Sequence, residues 1–211
     1  MVTSLTACSA PAPEESAISS SESSVGAESV DAEGDPDDWM ALSFAESFRV
    51  AQYPGYKLVQ VRNGPDAAWR ESIVLVPRGT QPPALHGALA DAVVIETPVR
   101  SIATNAVSDL SRLRALGLAD RVVGIATAAV YDEEIYQRLE RGELTLMGHP
   151  GHGQPNLEAL LAAGPELTLI LSTGPDHAQG LRRIRDLGLT AAPSYAFSEK
   201  TFLGRAEWIV Y

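Results

Sequence analysis

The stretch 148–173 constrains the fold more than any other part of the sequence. It opens with a loop of glycine, proline and histidine, after which Asn156 stands where a helix N-cap belongs and leucines follow at helical spacing. Gly164-Pro165 ends the predicted helix, and Leu167–Leu171 is an apolar run with the length of a strand buried on both faces. Loop, helix and strand in this order are one step of a wound α/β domain, in which ligands bind at the loops beyond the strand ends.

The chain from about Trp39 onward repeats this alternation. An antiparallel hairpin is predicted at a sheet edge, from strands Tyr56–Val61 and 72–77 with a turn at 63–66. Further strands are predicted at 92–95, 100–104, 121–126, 144–147 and 189–194, and further helices at 107–116 (with Thr104 or Asn105 as the N-cap), 131–139, 179–187 and 201–211. We therefore expect an α/β fold: a three-layer, wound, mostly parallel sheet with helices on both faces, preceded by the antiparallel hairpin.

The charge of the chain is concentrated at its N-terminus. The formal net charge is −11, but residues 1–38 carry nine acidic side chains and no basic one, which leaves 18 acids against 16 bases in the remainder. Because this Ser/Glu-rich tract is poor in apolar residues, we expect a disordered acidic tether, followed by one folded unit at 39–211. The folded part lacks the excess of basic residues that nucleic-acid binding requires, so we expect no nucleic-acid partner.

The single cysteine, Cys8, has two interpretations. Leu5-Thr6-Ala7-Cys8 is similar to a bacterial lipobox, in which a signal peptidase cuts before the cysteine and a diacylglycerol is attached to its sulfur. The residues before Cys8 lack the basic and apolar regions of a signal peptide, so either the reading frame starts further upstream or the cysteine is an ordinary residue of a disordered tail. No run of residues approaches the ~20 apolar positions of a transmembrane helix.

Motifs of enzyme chemistry are absent from the sequence. It contains no glycine-rich phosphate loop, no His-Glu-x-x-His and no Gly-x-Ser-x-Gly nucleophile elbow. Serine, histidine and aspartate occur, but no spacing links them. We therefore expect a protein that is not an enzyme and that holds no resident cofactor.

The segment Gly…PNLEALLAAGPELTLIL resembles a pattern of the periplasmic binding proteins that serve ABC importers of iron complexes, haem and vitamin B12, and the resemblance runs from about Val93 to Tyr211. It implies a monomeric substrate-binding lipoprotein, lipid-anchored to the membrane in the periplasm or cell envelope. Such a protein captures a ferric siderophore, haem or cobalamin and delivers it to an ABC transporter permease. The family has two α/β lobes joined by a long helix, and the resemblance covers the first lobe alone. Because the helix at 201–211 is in full stride at its end, with Trp208 and Ile209 in need of a partner, we expect a chain truncated at its C-terminus.

In this family the ligand lies in the cleft between the lobes, held by loops at the strand ends. The resemblance and the position in such loops together give these predicted ligand-binding residues: Thr104, Asn105, Tyr131, His149, His152, Thr173, His177 and Tyr195. Tyr131 stands where relatives often place an aromatic residue, whose face suits a corrinoid or a porphyrin, although an ordinary half-buried tyrosine at a helix start competes with this interpretation.

Three of the four histidines fall in two adjacent loops, and imidazole is a usual ligand of haem iron. Solvated loop histidines are the alternative interpretation, and no arrangement of the three predicts a metal site in the protein itself.

Glu158 matches the glutamate of the family's Asn-Leu-Glu motif. In relatives this glutamate lies on the outer surface of the lobe and pairs with an arginine of the permease, so the resemblance implies a docking residue. A carboxylate in the first turn of a helix is also favourable by about 0.3–1 kcal/mol whatever its role, and the two interpretations are compatible.

One alternative class remains open from the sequence. Wound α/β folds host many chemistries, so the chain could belong to a flavodoxin-like or nitrogenase-like enzyme whose cofactor site lies partly in sequence beyond Tyr211. Turnover or a bound redox cofactor would favour this alternative over the transport protein.

Overall fold

The computed structural model describes residues 39–127, 132–148, 155–171 and 175–211. The strands in these ranges are β1 (Phe48–Tyr53), β2 (Tyr56–Val61), β3 (Glu71–Pro77), β4 (Val93–Thr97), β5 (Ile102–Thr104), β6 (Val122–Ile125), β7 (Thr145–Leu146), β8 (Leu167–Leu171) and β9 (Ala191–Ser194). The α-helices are α1 (Val107–Ala115), α2 (Glu133–Glu140), α3 (Leu157–Ala163), α4 (Pro175–Asp186) and α5 (Phe202–Glu207).

The first sheet has the strand order β1-β2-β3-β4. The predicted hairpin is confirmed as the antiparallel pair β2 and β3, in which Leu58 lies opposite Val74. Its predicted position at the sheet edge is wrong, because β1 pairs with the outer side of β2. The sequence analysis missed β1, whose arginine and glutamine interrupt its apolar residues without a regular alternation. On the other side, β4 runs parallel to β3 and begins the wound part of the fold.

The second sheet has the strand order β7-β6-β5-β8-β9, and all of its pairs are parallel. Helices α1 and α2 pack on one face of this sheet through Leu110 and Ile135, which share one buried cluster. Helices α3 and α4 pack on the opposite face through Leu160 and Ile184, which share another. A helix on each side of a parallel sheet is what right-handed crossovers produce when the chain winds first one way and then the other. The predicted three-layer α/β architecture is confirmed.

Helix α3 and strand β8 agree closely with the prediction from the sequence. The Asn156 side-chain oxygen accepts a hydrogen bond of 3.1 Å from the backbone N–H of Ala159, as expected of an N-cap. The helix ends at Gly164, whose φ of 54° lies in the left-handed region that glycine adopts without strain. Strand β8 then begins at Leu167 and lies inside the sheet, between β5 and β9.

A buried cluster joins the two sheets. Phe48 of β1 and Ile73 of β3 contribute from the first sheet, and Ala192 of β9 contributes from the second. The indole of Trp208 lies between them, with its ring 5.0 Å from that of Phe48. Trp208 is only 3% exposed. The apolar surface that was expected to cover this side chain is thus supplied by the first sheet.

The C-terminal helix is shorter than the sequence pattern predicts. Helix α5 ends at Glu207, and a 3-10 turn, Trp208–Val210, replaces its predicted continuation. Trp208, the first residue of this turn, is buried in the core. The prediction of one helix over 201–211 is therefore wrong in its second half.

Candidate functional site

The carboxyl ends of the parallel strands form one edge of the second sheet, which we call the rim. Its strands end, in chain order, at Thr104, Ile125, Leu146, Leu171 and Ser194. Helices α1, α2, α3 and α4 begin on this side, since each of them connects the carboxyl end of one strand to the amino end of the next. Ligand sites of wound α/β folds form at this edge.

Two of the predicted ligand residues lie at the centre of the rim, and both are buried. The Thr104 hydroxyl accepts a hydrogen bond of 3.1 Å from the backbone N–H of Ala106. The Asn105 side-chain oxygen accepts one of 2.6 Å from the backbone N–H of Leu171, at the end of the neighbouring strand β8. The Asn105 side chain thus joins the ends of β5 and β8, and the Thr104 side chain stabilises the turn from β5 into α1. Contact of either residue with a ligand stays a prediction.

The same residues do not cap helix α1. The N-cap of α1 is Ala106, in extended backbone conformation and without a side-chain cap, so the prediction of Thr104 or Asn105 in this role is wrong. The physical reason is that both side chains point to neighbouring groups in the rim, Thr104 to Asp109 and Asn105 to β8.

The central polar group of the rim is Asp109, which the sequence analysis missed. Asp109 lies on α1 and is 4% exposed. Its Oδ1 accepts hydrogen bonds from the Ser194 hydroxyl at 2.9 Å and from Arg112 Nη1 at 2.7 Å. Its Oδ2 accepts a longer one, of 3.4 Å, from the Thr104 hydroxyl. One carboxylate therefore contacts the last residues of both β5 and β9.

Burial raises the pKa of the Asp109 carboxyl above its ordinary value, and this effect outweighs the opposing hydrogen bond from Ser194 and the charge of Arg112. A signal for this site was present in the sequence. Asp109 is one helical turn from both Ala106 and Leu113, so it lies on the apolar face of α1. An acid at such a position is buried and needs partners.

Tyr195 follows β9 and is also buried. Its ring belongs to the cluster that joins the two sheets, and its backbone oxygen accepts hydrogen bonds from the N–H and hydroxyl of Ser198, at 2.9 and 2.7 Å. The core thus accounts for much of the surface of this residue. Its contact with a ligand stays a prediction.

The side chains of the remaining predicted ligand residues lie outside the described part of the structure. Tyr131, His149, His152 and Thr173 lie outside the described residues, and so does Cys8. His177 falls within α4, but its side chain lies outside the described part. The predictions for these residues therefore stay as the sequence made them.

Glu158 occupies the first turn of α3 and is exposed. Its helix begins at the rim side of the sheet, directly after the Asn156 cap. Among the residues that the structure describes, no cation forms an ion pair with the Glu158 carboxylate. Docking of a partner through Glu158 stays a prediction.

Two cavities bear on the site. A hollow of about 10 Å³ lies at the rim between Thr104 and Thr127 and has room for about one water molecule. An apolar crevice of about 420 Å³ lies between the two sheets, toward the amino ends of β5 and β8, with Ile102 and Leu167 in its wall. The hollow at the rim is far smaller than a typical ligand pocket of about 300–1,000 Å³.

The described residues form neither a metal cluster nor a membrane-spanning helix. Within them, no group of three or more His, Cys, Asp or Glu side chains is placed to hold a metal ion. No helix of the described chain is both long and apolar enough to cross a membrane.

Comparisons with known proteins give likenesses among solved structures. No family model matches the chain, and no curated protein sequence matches it. The iron uptake ABC transporter substrate-binding protein PiuA from Streptococcus pneumoniae is 23% identical over 45% of this chain and 30% of its own, with a TM-score of 0.35. The periplasmic heme-binding protein RhuT from Roseiflexus sp. RS-1 is 24% identical over 44% of this chain and 33% of its own, with a TM-score of 0.36. The chain is thus matched to about a third of the length of these two structures.

Proposed function

We propose that the chain is the N-terminal lobe of a solute-binding lipoprotein of an ABC importer, and that it acts by binding and not by catalysis. Its cargo is an iron complex (a ferric siderophore or haem) or cobalamin. The observation that carries the proposal is the rim: five parallel strand ends on one edge, beside an exposed carboxylate, Glu158, in the Asn-Leu-Glu motif.

The rim suits one wall of a ligand cleft. Its floor is fixed by hydrogen bonds of Thr104, Asn105 and Asp109, so a ligand would meet a surface that is already ordered. Preorganisation of this kind lowers the entropic cost of binding. The segments that carry Tyr131, His149 and His152, and the first turn of α4 with His177, all follow strands that end at this edge. In this proposal they offer a large flat chelate both aromatic and imidazole groups.

Glu158 is the proposed contact with the permease. An exposed carboxylate suits an arginine, because the planar guanidinium binds both oxygens in a bidentate pair. Such a pair contributes orientation and association rate as well as affinity. The Asn156 cap holds the first turn of α3 in place, so Glu158 is presented from a rigid element.

In this proposal the acidic tract at 1–38 is the tether and Cys8 carries the lipid, which places the lobe at the membrane surface in the periplasm or cell envelope. The lobe works as a monomer with the permease. Because the tract carries nine acids and no base, it is repelled by anionic lipid headgroups and holds the lobe away from the membrane.

The test is a charge reversal at Glu158 in cells that take up labelled ferric siderophore, haem or cobalamin through this protein. We expect Glu158→Arg to reduce uptake at least about tenfold while the affinity of the purified protein for the ligand is unchanged. Glu140→Arg is the matched control, since Glu140 is an exposed glutamate at the C-terminal end of α2, away from the rim. Normal uptake by Glu158→Arg would contradict the docking role, and failure of the unmodified protein to bind any of the three ligands would contradict the proposed cargo.

A further inference from the structure

The rim contains a hydrogen-bonded connection between strands that are not neighbours. Strands β5 and β9 are separated in the sheet by β8. Asp109 nevertheless contacts the terminal residues of both, Thr104 at 3.4 Å and Ser194 at 2.9 Å. The carboxylate therefore spans the carboxyl end of β8, where no backbone ladder can join β5 to β9.

The connection extends to the helix that follows β9. Arg112 donates through Nη1 to Asp109 at 2.7 Å and through Nη2 to the backbone oxygen of Arg205 in α5 at 2.9 Å. Arg112 and Asp109 lie three residues apart on α1, so the pair is held on one helix face. The Asp109 carboxylate on α1 thus contacts β5 and β9 directly, and it is connected to α5 through Arg112.

The cost of this arrangement argues for a role beyond packing. A buried carboxylate loses its hydration, and a well-packed apolar side chain would often serve stability as well or better. The carboxylate instead provides directional hydrogen bonds, because its two oxygens accept bonds from three donors with preferred geometries. This fixes how far the end of β9, and the residue Tyr195 that follows it, stands from Thr104 and Asn105.

We propose that Asp109 is a positioning residue of the rim, whose carboxylate fixes the carboxyl end of β9 relative to β5 and so sets the spacing of the ligand-facing residues on the two strands. This rests on the proposed function in so far as the rim is a ligand surface. The positioning itself is a property of the protein without ligand and is tested without one.

The test measures backbone hydrogen exchange by NMR at two rim amides, those of Ala106 and Leu171, and at hairpin amides in β2 as an internal reference. Both rim amides donate to side chains in the rim, the hydroxyl of Thr104 and the side-chain oxygen of Asn105. We expect Asp109→Ala to accelerate exchange at the rim at least about tenfold relative to β2. Asp109→Asn keeps one acceptor oxygen for Ser194, so we expect it to restore most of the protection. Asp120→Ala, which truncates an exposed aspartate, should leave both regions unchanged.

Equal acceleration at the rim and in β2 would overturn the proposal, because it would mean a general loss of stability. So would unchanged exchange at the rim in Asp109→Ala. Should that variant fail to fold, Ser194→Ala keeps the Asp109–Arg112 pair and removes the connection to β9 alone. It is expected to accelerate rim exchange by a smaller factor, and the absence of any rim effect in it would overturn the proposal.

Titration with haemin separates this proposal from the proposed function. If haemin binds the unmodified protein and Asp109→Ala weakens binding more than Asp109→Asn does, the rim is a ligand surface that Asp109 positions. If the exchange results hold but neither haemin, cyanocobalamin nor a ferric siderophore binds the unmodified protein, the proposed function fails and the positioning role stands.

Discussion

The Trp208 indole donates a hydrogen bond of 2.9 Å to Glu199 Oε1, and both side chains are buried. The same carboxylate accepts the backbone N–H groups of Ser47, at 2.8 Å, and of Glu46, at 3.1 Å, across a separation of 153 residues in the latter case. Glu199 thus joins the C-terminal turn to the segment that leads into β1.

Removing this acceptor leaves three donors without a partner. We expect Glu199→Ala to lower the free energy of unfolding by about 3–5 kcal/mol, since the donors of Ser47 and Trp208 are buried and each unpaired buried donor costs about 1–3 kcal/mol. Glu199→Gln keeps one oxygen and should lose less than half as much. Urea unfolding followed by tryptophan fluorescence measures both. Exposed Glu140→Ala is the control, and a Glu199→Ala protein as stable as this control would contradict the role of the acceptor.

A second carboxylate, that of Glu207, binds the backbone N–H groups of Ser43, Phe44 and Ala45 at 2.6–2.8 Å. Burial raises the pKa of this carboxyl, but the three N–H donors together outweigh burial and place the pKa below its ordinary value of 4.5. A lowered pKa in the folded state means that the ionised group stabilises the fold above pH 4.5 and that this contribution is lost as the pH falls further. We expect Glu207→Gln to be less stable than the unmodified protein by about 1 kcal/mol at pH 7, with the difference shrinking toward pH 3. A difference that is constant between pH 7 and pH 3 would show that the carboxylate charge plays no part.

The buried Asp109 should give the opposite pH dependence. Its pKa is raised by burial in the folded protein, so the folded state binds the proton more tightly than the unfolded chain does. The stability of the unmodified protein relative to Asp109→Asn should therefore increase as the pH falls from 7 through the raised pKa. Urea unfolding of both proteins over this range measures the difference, and a decrease in place of an increase would mean that the charge of Arg112 outweighs burial.

The proposed lipid anchor makes a prediction for Cys8, which lies outside the described residues. In bacterial cells we expect the unmodified protein, expressed with its native upstream sequence, to incorporate labelled palmitate and to sediment with membranes. Cys8→Ser should do neither, because the sulfur is the atom that carries the diacylglycerol. Ser9→Ala is the neighbouring control. Soluble, unlabelled protein with Cys8 intact would support the interpretation of an ordinary cysteine.

The sequence predicted the wound part of the fold well, because its signals there are local. The Asn156 cap, the Gly164 stop and the apolar run of β8 act within a few residues of one another. Strand β1 was missed because the pairing with β2 that stabilises it is not visible in its own residue pattern. The early end of α5 was missed for a related reason, since Trp208 packs in the core against Phe48, which lies far away in the sequence.

The candidate site was predicted less completely. The rim itself, with Thr104 and Asn105 on it, follows from the order of strands and helices. The contacts of Asp109 with Ser194 and of Glu199 with Glu46 do not, because they join residues 85 and 153 positions apart in the chain, which only the folded structure brings together. Where a side chain is used for such internal contacts, its residue type alone does not separate a ligand contact from a structural one.

In the proposed function, the rim binds a metal chelate without turning it over. The most direct measurement is a ¹H–¹⁵N NMR titration of the protein with haemin, cyanocobalamin and ferrioxamine, with each probe recovered unchanged afterwards. We predict that one of the three perturbs the amides of Thr104, Asn105 and Tyr195 with one-to-one stoichiometry, and that amides at the opposite edge, such as Arg121 and Gly188, keep their positions. Perturbation confined to that opposite edge, or none with any of the three probes, would contradict the account.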